Sequence, residues 1–177
     1  MKYQEALLSA YAVVKDIRPF CRKIEIAGDI RRRCPEVRSI ELLAISREED
    51  LFNLFGETIA PYLLIEDWVN SCGFSFAKNG PKYKRFRWRD IWVDLYVTSE
   101  YQWGVQMALR TGCRQFASWL ASPRRKGGAL PGYMKIAEGW LWMNGRKIPT
   151  LTEPNFFAAI ETEWIRPDLR TAAVWRN

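Results

Sequence analysis

Two short apolar runs in this chain each carry one carboxylate where a strand would bury it: "SIELLAIS", with Glu41, and "IWVDLYV", with Asp94. Alternate residues of a strand share a face. Ser39, Glu41 and Leu43 therefore point one way, and Ile40, Leu42 and Ala44 the other. Asp94 shares its face with Trp92 and Tyr96, opposite Val93, Leu95 and Val97. An unpaired buried carboxylate is costly, so the fold has to bring each acid a cation or strong donors. If the two strands are neighbours, the acids face each other, and a divalent cation relieves their repulsion. Mg²⁺ suits such a pair because it is hard, prefers oxygen and commonly combines one or two carboxylates with substrate phosphates. Pairing with arginines such as Arg31, Arg32 or Arg87 meets the same need, and with 27 Lys and Arg in the chain both solutions stay open.

A length of 177 residues allows one compact domain or two small lobes sharing a core. A hydrophobic share of 48% and nine tryptophans provide a packed interior and argue against disorder. The chain has no histidine, which excludes a Ser-His-Asp triad, a histidine-based zinc site and a histidine general base. Cys21, Cys34, Cys72 and Cys113 form no C-x-x-C pair, so a zinc ribbon is not expected. The net charge of +7 favours a polyanionic partner such as nucleic acid, nucleotides or acidic lipid. Neither a signal peptide nor a run approaching the ~20 apolar residues of a membrane span is visible, so the expectation is a cytoplasmic protein with reduced thiols and no membrane partner.

Tyr3, Leu7, Tyr11, Val14 and Ile17 recur at helical spacing, predicting an amphipathic helix over residues 3 to 18 that Pro19 helps to end. "RKIEIAG" reads as a strand stopping at Gly28, "DIRRR" as one helical turn capped by Asp29, and "VRSIELLAIS" as a second strand. Residues 58 to 71 suit a helix starting near Pro61. "FSFAK", "KYKRFRW" and "IWVDLYV", separated by "NGP" and "RD", read as a strand meander. "QWGVQMALRTGCRQFASWLAS" is helical with a break at Gly112, and "PRRKGG" is a basic loop. "YMKIAEGWLWMNGRKIP" bends at its glycines as a small antiparallel sheet, and a last helix follows Thr152 as its cap. Trp140 and Trp142 share a strand face and Trp103 and Trp119 fall on helices; the expectation for all four is the core, with base stacking as the alternative. The expected class is α+β in two parts, residues 1–102 and 103–177.

In "AGDIRRR" a glycine precedes a short helical turn bearing Arg31 and Arg32, which together can cradle phosphate through backbone donors and guanidinium forks. Asp29 at the mouth opposes phosphate unless a metal ion sits between them; a plain capped turn with solvated arginines is the alternative.

Taken in order, these segments resemble the DNA polymerase beta-like, family X nucleotidyltransferases. "AGDIRRRCPEVRSIEL" is similar to the family's G-S-x-R-R followed by D-x-D or D-x-E, and "IWVDLYV" to the strand of its third catalytic acid. "WGVQMALRTGC" is similar to its G-V…T-G-S turn, and the stretch from "SPRRKGG" to "IRPDLR" to its thumb. The likeness covers residues 20 to 170 and matches small phage or viral forms that lack the lyase and fingers domains. It implies a palm with a mixed β-sheet and helices over 1–102, a thumb-like α/β part over 103–177, and a monomer. It implies two-metal transfer of nucleotides from triphosphates to a DNA 3′ end, as in gap filling, with Mg²⁺ or Mn²⁺.

Carried over, Glu41 and Asp94 would hold metal and act in catalysis. Gly28, Arg32, Ser39, Thr111 and Gly112 would line the nucleotide, and Arg124, Arg125 and Lys126 would grip nucleic-acid phosphates. The family's first acid is Ser39 here, while its serine after the glycine is Asp29, so the two residue types are exchanged. Asp29 would then be the third catalytic and metal-holding carboxylate. The competing reading is a catalytically impaired, polymerase-like protein that binds nucleotides or nucleic acid without turnover.

Overall fold

A computed structural model describes residues 1–52, 55 and 58–175. Helix α1 (Tyr3–Ile17) opens the chain. Its small residues Ala6 and Ala10, with Val13, Val14 and Ile17, form a buried stripe that lets the helix lie close to the sheet. Strand β1 (Cys21–Ile26), the short helical turn α2 (Gly28–Arg31) and strand β2 (Ile40–Ser46) follow. A hairpin of β3 (Glu48–Phe52) and β4 (Thr58–Leu63) runs into α3 (Leu64–Ser71). The meander β5 (Phe76–Gly80), β6 (Tyr83–Trp88) and β7 (Ile91–Val97) comes next.

Helices α4 (Trp103–Thr111) and α5 (Arg114–Ala121) are broken at Gly112, as the sequence predicts. A three-stranded antiparallel sheet of β8 (Met134–Ala137), β9 (Trp140–Met143) and β10 (Arg146–Ile148) precedes α6 (Glu153–Ala159). The Thr152 hydroxyl accepts the Asn155 amide at 3.2 Å and so caps α6 as expected.

The main sheet has the order β1-β2-β7-β6-β5 and is mixed, with β2 and β7 parallel and the other neighbours antiparallel. One face is packed by α1 and α3: Ile40, Leu42, Ala44, Val93, Leu95 and Phe86 share a cluster with Ala10, Val13, Ile65 and Trp68. A second cluster joins α4, α5, α6 and the small sheet through Val105, Phe116, Leu141, Phe156 and Phe157. Between them lies a small one of Ala27, Leu43, Ile45, Trp103 and Met107, where α4 meets the open face of the main sheet. The architecture is therefore α+β, with a mixed sheet and several helices. Among the described residues no helix is long and apolar enough to cross a membrane.

Three expectations need correction. Residues 58 to 63 form a strand, and the helix starts only at Leu64. Pro61 lies opposite Asp50 in a two-stranded ribbon, where edge strands tolerate proline. Asp29 is the second residue of α2, whose cap position is Ala27, so its carboxylate does not cap the turn. Trp140 and Trp142 are half-exposed on the outer face of β9, opposite buried Leu141, with Lys147 over both rings. Trp103 is buried as expected, and Trp119 is half-buried.

Candidate active site

The open face of the main sheet carries a row of charge. Strands β2 and β7 pair so that Glu41 lies directly beside Asp94, and Asp94 in turn lies beside Arg85 of β6. The shared face follows from the period-2 alternation of both strands, and the register brings the acids side by side. Asp94 is 4% exposed; its Oδ1 accepts the Tyr83 hydroxyl at 2.6 Å and Arg85 Nη1 at 3.1 Å. Burial and the bond to Asp94 both raise the Tyr83 pKa, so this phenol stays protonated as a donor.

Glu41 is treated differently. No hydrogen bond to its carboxylate is made among the described residues, and it is only partly covered. Burial pushes its pKa up to about 7; the Arg32 charge opposes this, while Asp29 and Asp94 add to it. A carboxylate this poorly compensated is one that a cation would stabilise. The guanidinium of Arg110 lies 4.0 Å from the centre of the Tyr96 ring, and its charge also acts on Glu41. Tyr83 and Arg85 do not stand out in the sequence alone. Their signal was the odd-even spacing of "YKR" against "VDL", which puts Tyr83 and Arg85 on the face of Asp94 once the register is known.

Above this row sits the Gly28 turn. Gly28 adopts φ +58, and a Cβ there would overlap Glu41 Oε1 and Cδ. Glycine is required twice over, for the left-handed backbone and for the close approach. Gly28→Ala is expected to lower stability by about 2 kcal/mol or more, read as a fall in the urea midpoint at unchanged slope.

Arg32 is 8% exposed and bonds the Thr111 carbonyl at 2.5 Å and Asp29 Oδ1. Its Nε is buried without a hydrogen-bond partner among the described residues. Asp29 Oδ2 accepts the Arg38 amide at 3.5 Å. Arg31 turns away from the turn to bond Thr111 Oγ1 at 2.7 Å and Glu153 at 2.9 and 3.0 Å.

Of the residues singled out in the sequence, Glu41 and Asp94 come together, and Gly28, Asp29 and Arg32 border them. No three acids, cysteines or histidines gather as a metal-holding group among the described residues. Asp29 contributes charge to Glu41 but spends its oxygens on Arg32 and the Arg38 amide. Ser39 lies in the bend before β2 instead of on the strand. Thr111 is buried, its hydroxyl and carbonyl both taken by arginines. Gly112 ends α4, where a side chain would strike the Phe116 ring. Cys113 caps α5, because its Sγ accepts the Phe116 amide at 3.4 Å.

In the basic loop, Arg124 is engaged by Glu161 and by the carbonyls of Ala129, Ile160 and Glu161. Arg125 and Lys126 are exposed. Arg124 thus ties the loop to the end of α6, and the two cations after it face solvent.

No protein-family model matches the chain, and no curated protein matches it in sequence.

Proposed function

We propose that this protein is a metal-dependent nucleotidyltransferase of the DNA polymerase beta-like type, which adds nucleotides to a DNA 3′ end, with residues 1–102 as palm and 103–177 as thumb. The observation that carries the reading is the in-register placement of Glu41 and Asp94 on adjacent parallel strands, with Glu41 lacking a donor of its own among the described residues. Two carboxylates side by side, one of them raised to about 7, would suit one divalent ion once Arg85 gives up its bonds to the Asp94 oxygens, with substrate phosphates completing the oxygen shell.

Bound Mg²⁺ or Mn²⁺ would neutralise the triphosphate and make the 3′-hydroxyl more acidic. Glu41 and Asp94 would hold that ion. The hydroxyl oxygen attacks the α-phosphorus, the bond from that phosphorus to the β-phosphate oxygen breaks, and pyrophosphate leaves with the electron pair. Asp94 would receive the hydroxyl proton on Oδ2, the oxygen that Arg85 holds at 3.3 Å and would have to release, while Tyr83 keeps Oδ1 in place. Arg110 lies near enough to Glu41 to place positive charge at the incoming phosphates. Gly28 lets backbone approach the same place. Arg32 binds phosphate only by parting from Asp29, and that exchange frees Asp29 to serve as the third carboxylate in place of Ser39.

The second reading, nucleotide or nucleic-acid binding without turnover, is favoured by one observation: Asp29 and Asp94 each already pair with an arginine. Primer extension on gapped DNA with Mg²⁺ or Mn²⁺ separates the two. Extension by the native chain, stopped by chelator, supports transfer with Asp29 as substitute. Silence in the native chain with extension by Ser39→Asp supports the impaired reading. Silence in both, with DNA binding intact, would end the transferase proposal.

A further inference from the structure

Away from the acid pair, α5 and the basic loop enclose an open groove of about 770 Å³, within the ~300–1,000 Å³ of typical ligand sites. Two indoles, Trp119 and Trp175, form one side, with ring centres 4.6 Å apart and planes tilted 41°. Both pack on Phe116. Trp175 stands edge-on to the buried Phe116 ring and donates its Nε1–H to the Leu169 carbonyl at 2.8 Å, while Trp119 packs at 5.6 Å from Phe116. Arg114 and Lys126 also line the groove; both are exposed, and neither side chain has a partner among the described residues. Among the described residues no carboxylate lines it. Gly128 explains why Lys126 reaches this place: a side chain there would collide with the Ser122 backbone, so the loop folds tightly back onto the end of α5.

Packed aromatic rings beside exposed cations, without an opposing acid, are the elements of a sequence-tolerant single-strand binding site, in which bases stack and phosphates meet positive charge. We propose that this groove binds an unpaired segment of nucleic acid, with bases against Trp119 and Trp175 and phosphates at Arg114 and Lys126. The ligand class rests on the nucleic-acid part of the function proposed above. The site itself uses neither Glu41, Asp94 nor a metal ion, and it engages single strands in preference to duplex because stacking on the indoles needs exposed base faces.

Binding of a labelled oligothymidine of about ten nucleotides is measured by fluorescence anisotropy in EDTA, where transfer chemistry cannot contribute. Trp119→Ala is expected to weaken binding on the order of ten-fold, and Trp119→Phe much less. Arg114→Ala and Lys126→Ala are each expected to reduce the slope of log affinity against log salt by ~0.7. These two exposed positions lie outside the packed core, so they report on the groove even if Trp119→Ala fails to fold. Unchanged slopes in both charge variants overturn the proposal, as does a duplex competitor that displaces the oligothymidine as well as a single strand does. Trp119-dependent binding in a protein that never extends a primer would retain this site and remove the transferase reading; extension with unchanged single-strand binding would do the reverse.

Discussion

Glu41→Gln is expected to yield a protein that is more stable at pH 8 and strongly impaired in nucleotide transfer. The wild-type carboxyl titrates near 7 in the folded chain against a reference of 4.5, chiefly because burial disfavours its charge. The folded state therefore binds this proton more tightly than the unfolded chain. The associated stability is fully present below about pH 4.5 and is lost as pH rises through 7. Above that the charged glutamate costs up to about 3 kcal/mol, an upper figure because the group retains some contact with water.

The amide carries no charge and can donate to the neighbouring carboxylates, so it avoids that loss. Melting curves of the two proteins should coincide at acid pH and separate between 4.5 and 7, with the variant higher by roughly 5–10 °C at pH 8. Mg²⁺ should raise the melting temperature of the wild type and leave the variant nearly unmoved, since binding to the native state alone stabilises it. Primer extension by the variant should fall by on the order of 10²-fold or more. Equal Mg²⁺ stabilisation of both proteins would show that the ion, if it binds, does so elsewhere.

Glu153→Ala is expected to be the most destabilising single truncation in the second half of the chain. Glu153 is 5% exposed, and its two oxygens bond Arg31 at 2.9 and 3.0 Å, Arg170 at 2.6 Å and the Trp164 indole at 3.0 Å. Burial alone would raise its pKa, but the bonds and charges of Arg31 and Arg170 outweigh that and hold it below the ordinary value. Arg170 has no exposure at all, and its remaining guanidinium bonds go to the Ile165 carbonyl.

Removing the acid strands a buried guanidinium, which costs roughly 3–5 kcal/mol. Because Arg31 belongs to α2 and Arg170 to the C-terminal segment, the loss also loosens the turn that holds Gly28 against Glu41. Urea unfolding should show the drop, and Glu153→Gln should recover only part of it, since an amide accepts without charge. A fall of less than about 1 kcal/mol would mean that the network is satisfied by water instead.

Much of the architecture could be read from residue order because local signals agreed with tertiary packing. The alternation in "SIELLAIS" and "IWVDLYV" fixes which side chains share a face, and Gly112 and Thr152 mark helix ends by their chemistry. The adjacency of Glu41 and Asp94 was an open condition in the sequence, because register between strands so far apart depends on the whole sheet. The hairpin of β3 and β4 was hidden for the opposite reason: Pro61 and the apolar run around it fit the start of a helix as well as a ribbon strand. At the site, residue types identified the acids but could not say which arginine each would choose. Arg32 takes Asp29, Arg85 takes Asp94, and Arg31 reaches 122 positions along the chain to Glu153. Such pairings are decided by three-dimensional proximity, and many arginines compete for each carboxylate.

The parallel pairing of β2 with β7 has a kinetic consequence. These strands touch although β3 through β6 come between them in the chain, and the join cannot form until that long segment is closed. Closing a longer loop gives up more chain entropy before any contact repays it, and such nonlocal pairing slows folding. The two carboxylates are therefore expected to become neighbours late in folding. A polypeptide cut before Ile91 would hold Glu41 beside the Gly28 turn but would lack the strand that sets Asp94 next to it.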